Sequence, residues 1–517
     1  MTHFPRADRT HTLRSARARG IEFGIALAIA LQLALLLALA ARLGTWIDEE
    51  YALASTGHGI ATALVRAQAV EQQPPLYFVL EAAWRTLNPS VFFARLPSVL
   101  CAGALTLVAA GIARRLWPES NPLWFAVAIA FNPFVIYAGL EVRAYALALL
   151  VSGLTWLTFY DGFMCEGRRR SRVWFVAFAI AGTYTQYFLA LALPACALTL
   201  AVGGRWKALL WYLTAVLGVA IACVPLALSA SHQANVLFPE TRPWPVVAER
   251  WLTYPWTEFL FPASFGSSFS GRRIIFLRAL ALLAAGAILL ARPRPGRRTW
   301  GLIAGAAAIE FGYVAIATGL RIALVAPRHF VALFVPLWAA ACGILASLTA
   351  PRRRSSVTFA AALYAVATAV ALATEYRSLA KYGDWPRVGA YLEGHARARD
   401  TIVGFPAEVL WPIARYEHGP AALVPLPRPL SFTRYRLEDL TLNSVEEAEV
   451  VLQAPLARGT VWLVTNPDCG PLPTFGCEYL EQALKRDARV VARRLFSGTL
   501  VRELAPLRPR SGAAATR

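Results

Sequence analysis

Trp46-Ile47-Asp48-Glu49-Glu50 follows closely on the apolar run Ile21–Leu43, whose only charges are Glu22 near its start and Arg42 near its end. The run is long enough to cross a bilayer, which takes about 18–23 residues for a hydrocarbon core of about 30 Å. Three carboxylates therefore arrive together where the bilayer stops. Membrane insertion does not require them. A solvated helix end is one reading of such a cluster, and a functional site at the membrane edge is the other. The rest of the chain bears on that choice.

The chain has 517 residues and is 57% hydrophobic, with a mean hydropathy of +0.48. Soluble proteins average about 45–50% apolar residues. The excess lies in bilayer-length runs, so the sequence predicts a polytopic α-helical membrane protein. The formal net charge of +20 sits in short basic clusters between those runs. It reports topology and excludes no-membrane, nucleic-acid-binding readings. Arg6, Arg9, Arg14, Arg17 and Arg19 precede a segment too long for a signal peptide and lacking a small-x-small cleavage site. Residues 1–20 are thus expected to be a cytoplasmic tail before an uncleaved first crossing.

Arg114-Arg115, Arg168 to Arg172, Arg205 with Lys207, Arg292 to Arg298 and Arg352 to Arg354 all fall on the cytoplasmic side if the chain makes about eleven crossings. The third crossing is expected at about 121–139 and the fourth at about 143–163. Residues 21–374 form the transmembrane domain in this reading. It includes surface-lying helices within 50–90, where Pro74-Pro75 suits a helix start and Leu76, Leu80, Ala83 and Leu87 recur at helical spacing. Residues 375–505 read as a small α/β domain outside the cytoplasm. Strands are expected at Thr401–Phe405, Thr460–Thr465, Val490–Leu495 and Thr499–Leu504, and helices at Glu446–Leu452 and Tyr479–Lys485. Residues 506–517 read as a disordered tail. Four of the cysteines sit in apolar runs and Cys165 at a span end, whereas Cys469 and Cys477 lie in the outer domain, where an oxidising compartment permits a disulfide between them.

This topology gathers polar residues on the outer face. Asp48 and Glu49 follow the first crossing. Gln73 and Tyr77 lie in the first outer loop, Glu141, Arg143 and Tyr145 between crossings three and four, Gln186 between five and six, and Arg328 between nine and ten. Arginines on this side run against the positive-inside gradient.

The blocks WIDEEYA (46–52), QQPPLYFVLEAAW (72–84), FARLPSVLCAG (93–103), NPFVIYAGLEVRAYALALL (132–150), YTQYFLAL (184–191) and APRHFVALFVP (326–336) together resemble the running pattern of GT-C membrane glycosyltransferases. The nearest branch is similar to bacterial relatives of protein O-mannosyltransferases and aminoarabinose transferases. DWPRVGAYL (384–392) resembles the lead into the outer domain of such proteins. The resemblance implies transfer of a sugar from a polyprenyl-phosphate carrier to a hydroxyl of a lipid, glycan or protein, on the outer face of the cytoplasmic membrane. It implies a hexosyl- or pentosyltransferase acting with inversion.

The chemistry accounts for the residue types. Phosphate is a competent leaving group, so an acid is dispensable. The acceptor hydroxyl must lose a proton, and a positioned carboxylate supplies about 10²–10⁴-fold. Asp48 matches the first acid of the family motif and is the candidate base, with Glu49 orienting the acceptor or a metal. Arg143 and Arg328 offer forked donors to phosphate oxygens. Tyr77, Tyr145, Gln73, Glu141 and Gln186 are candidates for donor phosphate or sugar contacts. The family often has His where this chain has Gln73 and Gln186, and Gln is a poor ligand for transition metals. Mg²⁺ or Mn²⁺ on Asp48 or Glu49 stays open. Two other functions also stay open, a lipid or solute transporter and a catalytically inactive binding protein.

Overall fold

The computed structural model describes residues 7–165, 167–233, 293–320, 330–348, 354–434, 436–466 and 475–507, with isolated positions between 243 and 290. The chain divides into two compact units. The first comprises Met1–Ala41, Gln73–Ala263 and Gly271–Thr374; the second comprises Arg42–Gln72, Ser264–Ser270 and Glu375–Arg517. Residues 42–72 thus group with the C-terminal segment.

The first unit is helical. Its elements are α1 (Ala7–Ala40), followed after two helices of the second unit by α4 (Leu76–Arg85), α5 (Val91–Leu116), α6 (Pro122–Ala130), α7 (Pro133–Gly139) and α8 (Tyr145–Phe159). Then come α9 (Arg169–Thr185), α10 (Ala192–Val202), α11 (Trp206–Ala222), α12 (Val224–Gln233), α13 (Arg297–Leu320), α14 (Val331–Ala346) and α15 (Arg354–Tyr376). Among the described residues, 6 helices are long and apolar enough to cross a membrane, or 7 if α6 and α7 make one broken span. Tyr187–Val202 and Val331–Ala346 are shorter apolar helices at the sixth and tenth expected crossings. The eighth expected crossing falls largely outside the described residues.

The third expected crossing is not the single helix its hydropathy suggests. It bends by 57° between α6 and α7. The cause is local: Asn132 Oδ1 accepts from the Phe134 and Val135 amides at 2.9 and 3.3 Å, and Pro133 opens the new helix. Small residues let neighbouring helices approach closely. A Cβ on Gly139 would sit 3.0 Å from Leu36, and one on Gly153 3.1 Å from Val108. Polar glue is also present, since Thr106 Oγ1 donates to Gln32 Oε1 at 2.8 Å and Arg95 Nη1 to the Ala40 carbonyl at 2.9 Å.

The second unit holds α2 (Ile47–Thr56), α3 (Ile60–Ala69), α16 (Trp385–His395), α17 (Leu410–Tyr416), α18 (Val445–Arg458) and α19 (Cys477–Asp487). Its sheet has β1 (Thr401–Phe405), β2 (Ala422–Pro425), β3 (Val461–Thr465), β4 (Ala488–Phe496) and β5 (Thr499–Pro506) in the order β2-β1-β3-β5-β4. The β2–β1 and β1–β3 pairs are parallel; β5 runs antiparallel to both β3 and β4. β1 and β3 are buried along their whole length, as central strands covered on both faces must be. Ile47 of α2 belongs to the same apolar cluster as Trp385, Val388, Ile402, Ile413 and Trp462. The strands and helices expected from sequence are present; β2, α16 and α17 are additions. Cys477 is disulfide-bonded. Cys469, its expected partner, and the tail from residue 508 lie outside the described residues.

Candidate functional site

The acidic turn opens α2. Trp46 is extended (φ −129°, ψ 172°), and Asp48, Glu49 and Glu50 fill the first helical turn. Negative charge there complements the helix dipole. Trp46, at the N-cap, supplies no side-chain cap, and the acids dominate the polar character of this helix start.

The three acids have different surroundings. Glu49 is fully buried, with Oε2 2.7 Å from the Lys381 ammonium, itself 2% exposed. Lysine is almost never this buried unless paired. Glu50 accepts a forked pair of hydrogen bonds from Arg415, Nε at 2.5 Å and Nη2 at 2.7 Å, and Thr45 Oγ1 donates to it at 2.5 Å. The Glu50 bond holds the Arg415 guanidinium above its usual pKa against the opposing effect of burial. Asp48 keeps part of its surface exposed. The next residue, Tyr51, donates its hydroxyl to Glu408 at 2.9 Å and sets its ring edge-on to Trp411 at 4.3 Å. Burial pushes the half-buried Glu408 carboxyl up to about 7; the Tyr51 bond opposes this and the nearby Asp48 charge adds to it.

The remaining expected site residues belong to the first unit. Glu141, Arg143 and Tyr145 follow α7 and are all buried. The Glu141 carbonyl accepts from Ser98 Oγ at 2.7 Å, and the Tyr145 ring stacks with Tyr137 at 5.9 Å. Gln186 is buried at the end of α9, its backbone N–H donating to the Gly182 carbonyl at 2.9 Å. Tyr77 is buried in α4, edge-on to Phe78 at 5.3 Å, and Gln73 is half-buried before α4. α4 packs on α5 and α9, and α8 packs on α9, so the helices carrying Tyr77, Tyr145 and Gln186 are neighbours. Arg328 lies outside the described residues.

Sequence reasoning missed Lys381, Arg415 and Glu408. It also missed Glu81 in α4, whose buried carboxyl has no hydrogen-bond partner on either oxygen among the described residues and is raised to about 8 by burial against the pull of Arg85. Three adjacent acids did signal a need for cations, but nothing local says which.

Among the described residues, no three His, Cys, Asp or Glu side chains gather so as to hold a metal ion. Glu49, one of the two expected ligands, closes instead on an ammonium, and an adjacent cation repels a second. Glu49 is thus engaged by Lys381, and no step below runs through a metal.

No protein-family model and no curated protein matches the chain. Solved structures do. ArnT from Cupriavidus metallidurans in the apo state is similar with a TM-score of 0.55 and 16% identity, over 93% of this chain and 97% of that one. The same protein bound to undecaprenyl phosphate gives a TM-score of 0.44 and 17% identity over 93% and 97%. The Archaeoglobus fulgidus oligosaccharyltransferase, in complex with Zn and sulfate, gives 0.43 and 12% over 91% and 72%. The first of these similarities runs along nearly the whole chain, and the chain shares the fold of that structure: several apolar helices long enough to cross a membrane, with a small C-terminal sheet domain.

Proposed function

We propose that this chain is a glycosyltransferase that moves a sugar from a polyprenyl-phosphate donor to a hydroxyl acceptor at the outer face of the cytoplasmic membrane. The observation that carries the reading is the division of labour in the acidic turn. Glu49 and Glu50 are consumed in ion pairs with Lys381 and Arg415, and Asp48 alone of the three keeps exposed surface on a GT-C fold.

Asp48 takes the acceptor proton as the new C–O bond forms and the bond from the anomeric carbon to phosphate breaks, releasing polyprenyl phosphate. A single displacement with one base inverts the anomeric centre. Arg143 and Arg328 bind the donor phosphate through their planar forks, and Tyr77, Tyr145, Gln73, Glu141 and Gln186 serve the donor phosphate and sugar. The sugar is a hexose or pentose and the acceptor a lipid, glycan or protein hydroxyl. The N-terminal tail, 1–20, stays in the cytoplasm; 21–374 carries the crossings, and 375–505 lies outside with the tail 506–517. The basic clusters between the apolar runs of the sequence support this orientation.

The test supplies the purified protein with radiolabelled polyprenyl-phosphate sugars and membrane extract. A labelled lipid, glycan or protein product is expected. Failure of every donor to yield product, with folded protein, overturns the reading.

A further inference from the structure

Four consecutive residues at the start of α2 point about 100° apart around the helix axis, since a turn takes about 3.6 residues. Three of those four directions are occupied by side chains from the segment Glu375–Arg517. Lys381 holds Glu49 at 2.7 Å. Arg415, on α17, holds Glu50 by two bonds of 2.5 and 2.7 Å. Glu408, just before α17, receives the Tyr51 hydroxyl at 2.9 Å. The fourth direction is that of Asp48.

The chain leading into α2 is held as well. The Tyr416 hydroxyl accepts the Thr45 amide at 2.9 Å. A Cβ on Gly44 would lie 2.6 Å from the Pro386 ring, so only glycine lets this segment lie against α16. Neither a rotation nor a slide of α2 can then occur without breaking a buried bond.

We propose that Lys381, Arg415 and Glu408 are positioning residues for Asp48, which clasp α2 on three sides and fix the direction in which the fourth side chain points. The proposal rests on the reading of Asp48 as the base. None of the three acts on substrate. Their role is to hold one carboxylate within the narrow range of positions from which it can take a proton, because a shift of about 1 Å can cost about 10²-fold in rate. It follows that the segment after residue 375 is part of the catalytic apparatus through α2.

The experiment uses the full chain in lipid nanodiscs. Asp48→Cys is labelled with a water-soluble maleimide, and its rate is read by peptide-resolved mass spectrometry. The same measurement is made with Lys381→Met, Arg415→Lys or Tyr51→Phe added. Tyr51→Phe removes only a hydroxyl from a half-buried ring, so it keeps the test open where a charge variant fails to fold. Labelling at position 48 is expected to change severalfold when a clasp is cut. With Asp48 present, turnover per folded molecule should fall by about 10- to 100-fold while the donor KM holds. Unchanged labelling in the folded variants, or changed labelling with wild-type turnover, overturns the proposal. If the wild-type chain transfers no sugar, the functional reading falls, and the labelling rates alone still decide whether the clasps fix position 48.

Discussion

Glu49–Lys381 and Glu22–Arg114 close over nearly the same distance, 2.7 and 2.6 Å. In the first pair the side chains are 0% and 2% exposed; in the second they are 63% and 44% exposed. The first anchors the acidic turn of α2, and the second sits at the arginine-rich end of α5. Distance therefore says little about what each pair does. At the α5 end, water and salt screen both charges, and either can be lost cheaply. In the acidic turn, water cannot take over from a missing partner, and a lone charge remains buried. One region tolerates the loss of a single charge. The other depends on each bond.

The sharpest way to test that contrast is at Asp48, the partly exposed acid of the three. Asp48→Asn should lower turnover by about two to four orders of magnitude with donor KM nearly unchanged, read in the labelled-sugar assay. Wild-type rate in this variant moves the role of base to another residue. The next effect is on stability. Lys381→Met should cost about 3–5 kcal/mol in unfolding free energy because it strands the Glu49 charge. Adding Glu49→Leu should return much of that loss, since a buried pair replaced by apolar groups is often neutral.

A smaller effect comes from Glu408. Its carboxyl lies at about 7 in the folded chain against 4.5 ordinarily, so between these values the folded state binds the extra proton. Stability from this group is present at low pH and fades as pH rises through about 7. The thermal midpoint should fall between about pH 5 and about pH 8, with a shallower slope in Glu408→Gln. The smallest effect belongs to the exposed end. Arg114→Ala should change stability by less than about 1 kcal/mol, and raising salt should shrink the difference further. A loss equal to that of Lys381→Met would erase the contrast between the two regions.

Much of the fold was legible because burial leaves continuous signals. β1 and β3 are buried throughout and read as unbroken apolar runs. β2 is four residues long, half-exposed and ends in Pro425, so neither periodicity nor composition marks it. α17 carries Pro412 within seven residues and reads as a turn. Among the candidate site residues, Asp48 is singled out in the sequence by its place after an apolar run. Lys381 and Arg415 are not, because pairing across more than 300 residues leaves no local pattern. Glu49 shows the cost of this: by type and position it suits an acceptor or metal contact, and its buried pairing with Lys381 leaves no trace in the sequence.

The break at Asn132 bears on how the chain is made. Residues 132–143 are buried throughout, and this stretch carries Glu141 and Arg143 next to backbone that no single helix satisfies. Lipid does not tolerate such a segment; neighbouring protein does. Handed alone to the bilayer by a ribosome, α7 and the turn after it have no stable resting place. They need α5 already standing and α8 soon to follow, so that Ser98 can bond the Glu141 carbonyl. Biogenesis of this part of the protein is then a concerted event among several helices, in contrast to α1, which can enter the membrane on its own.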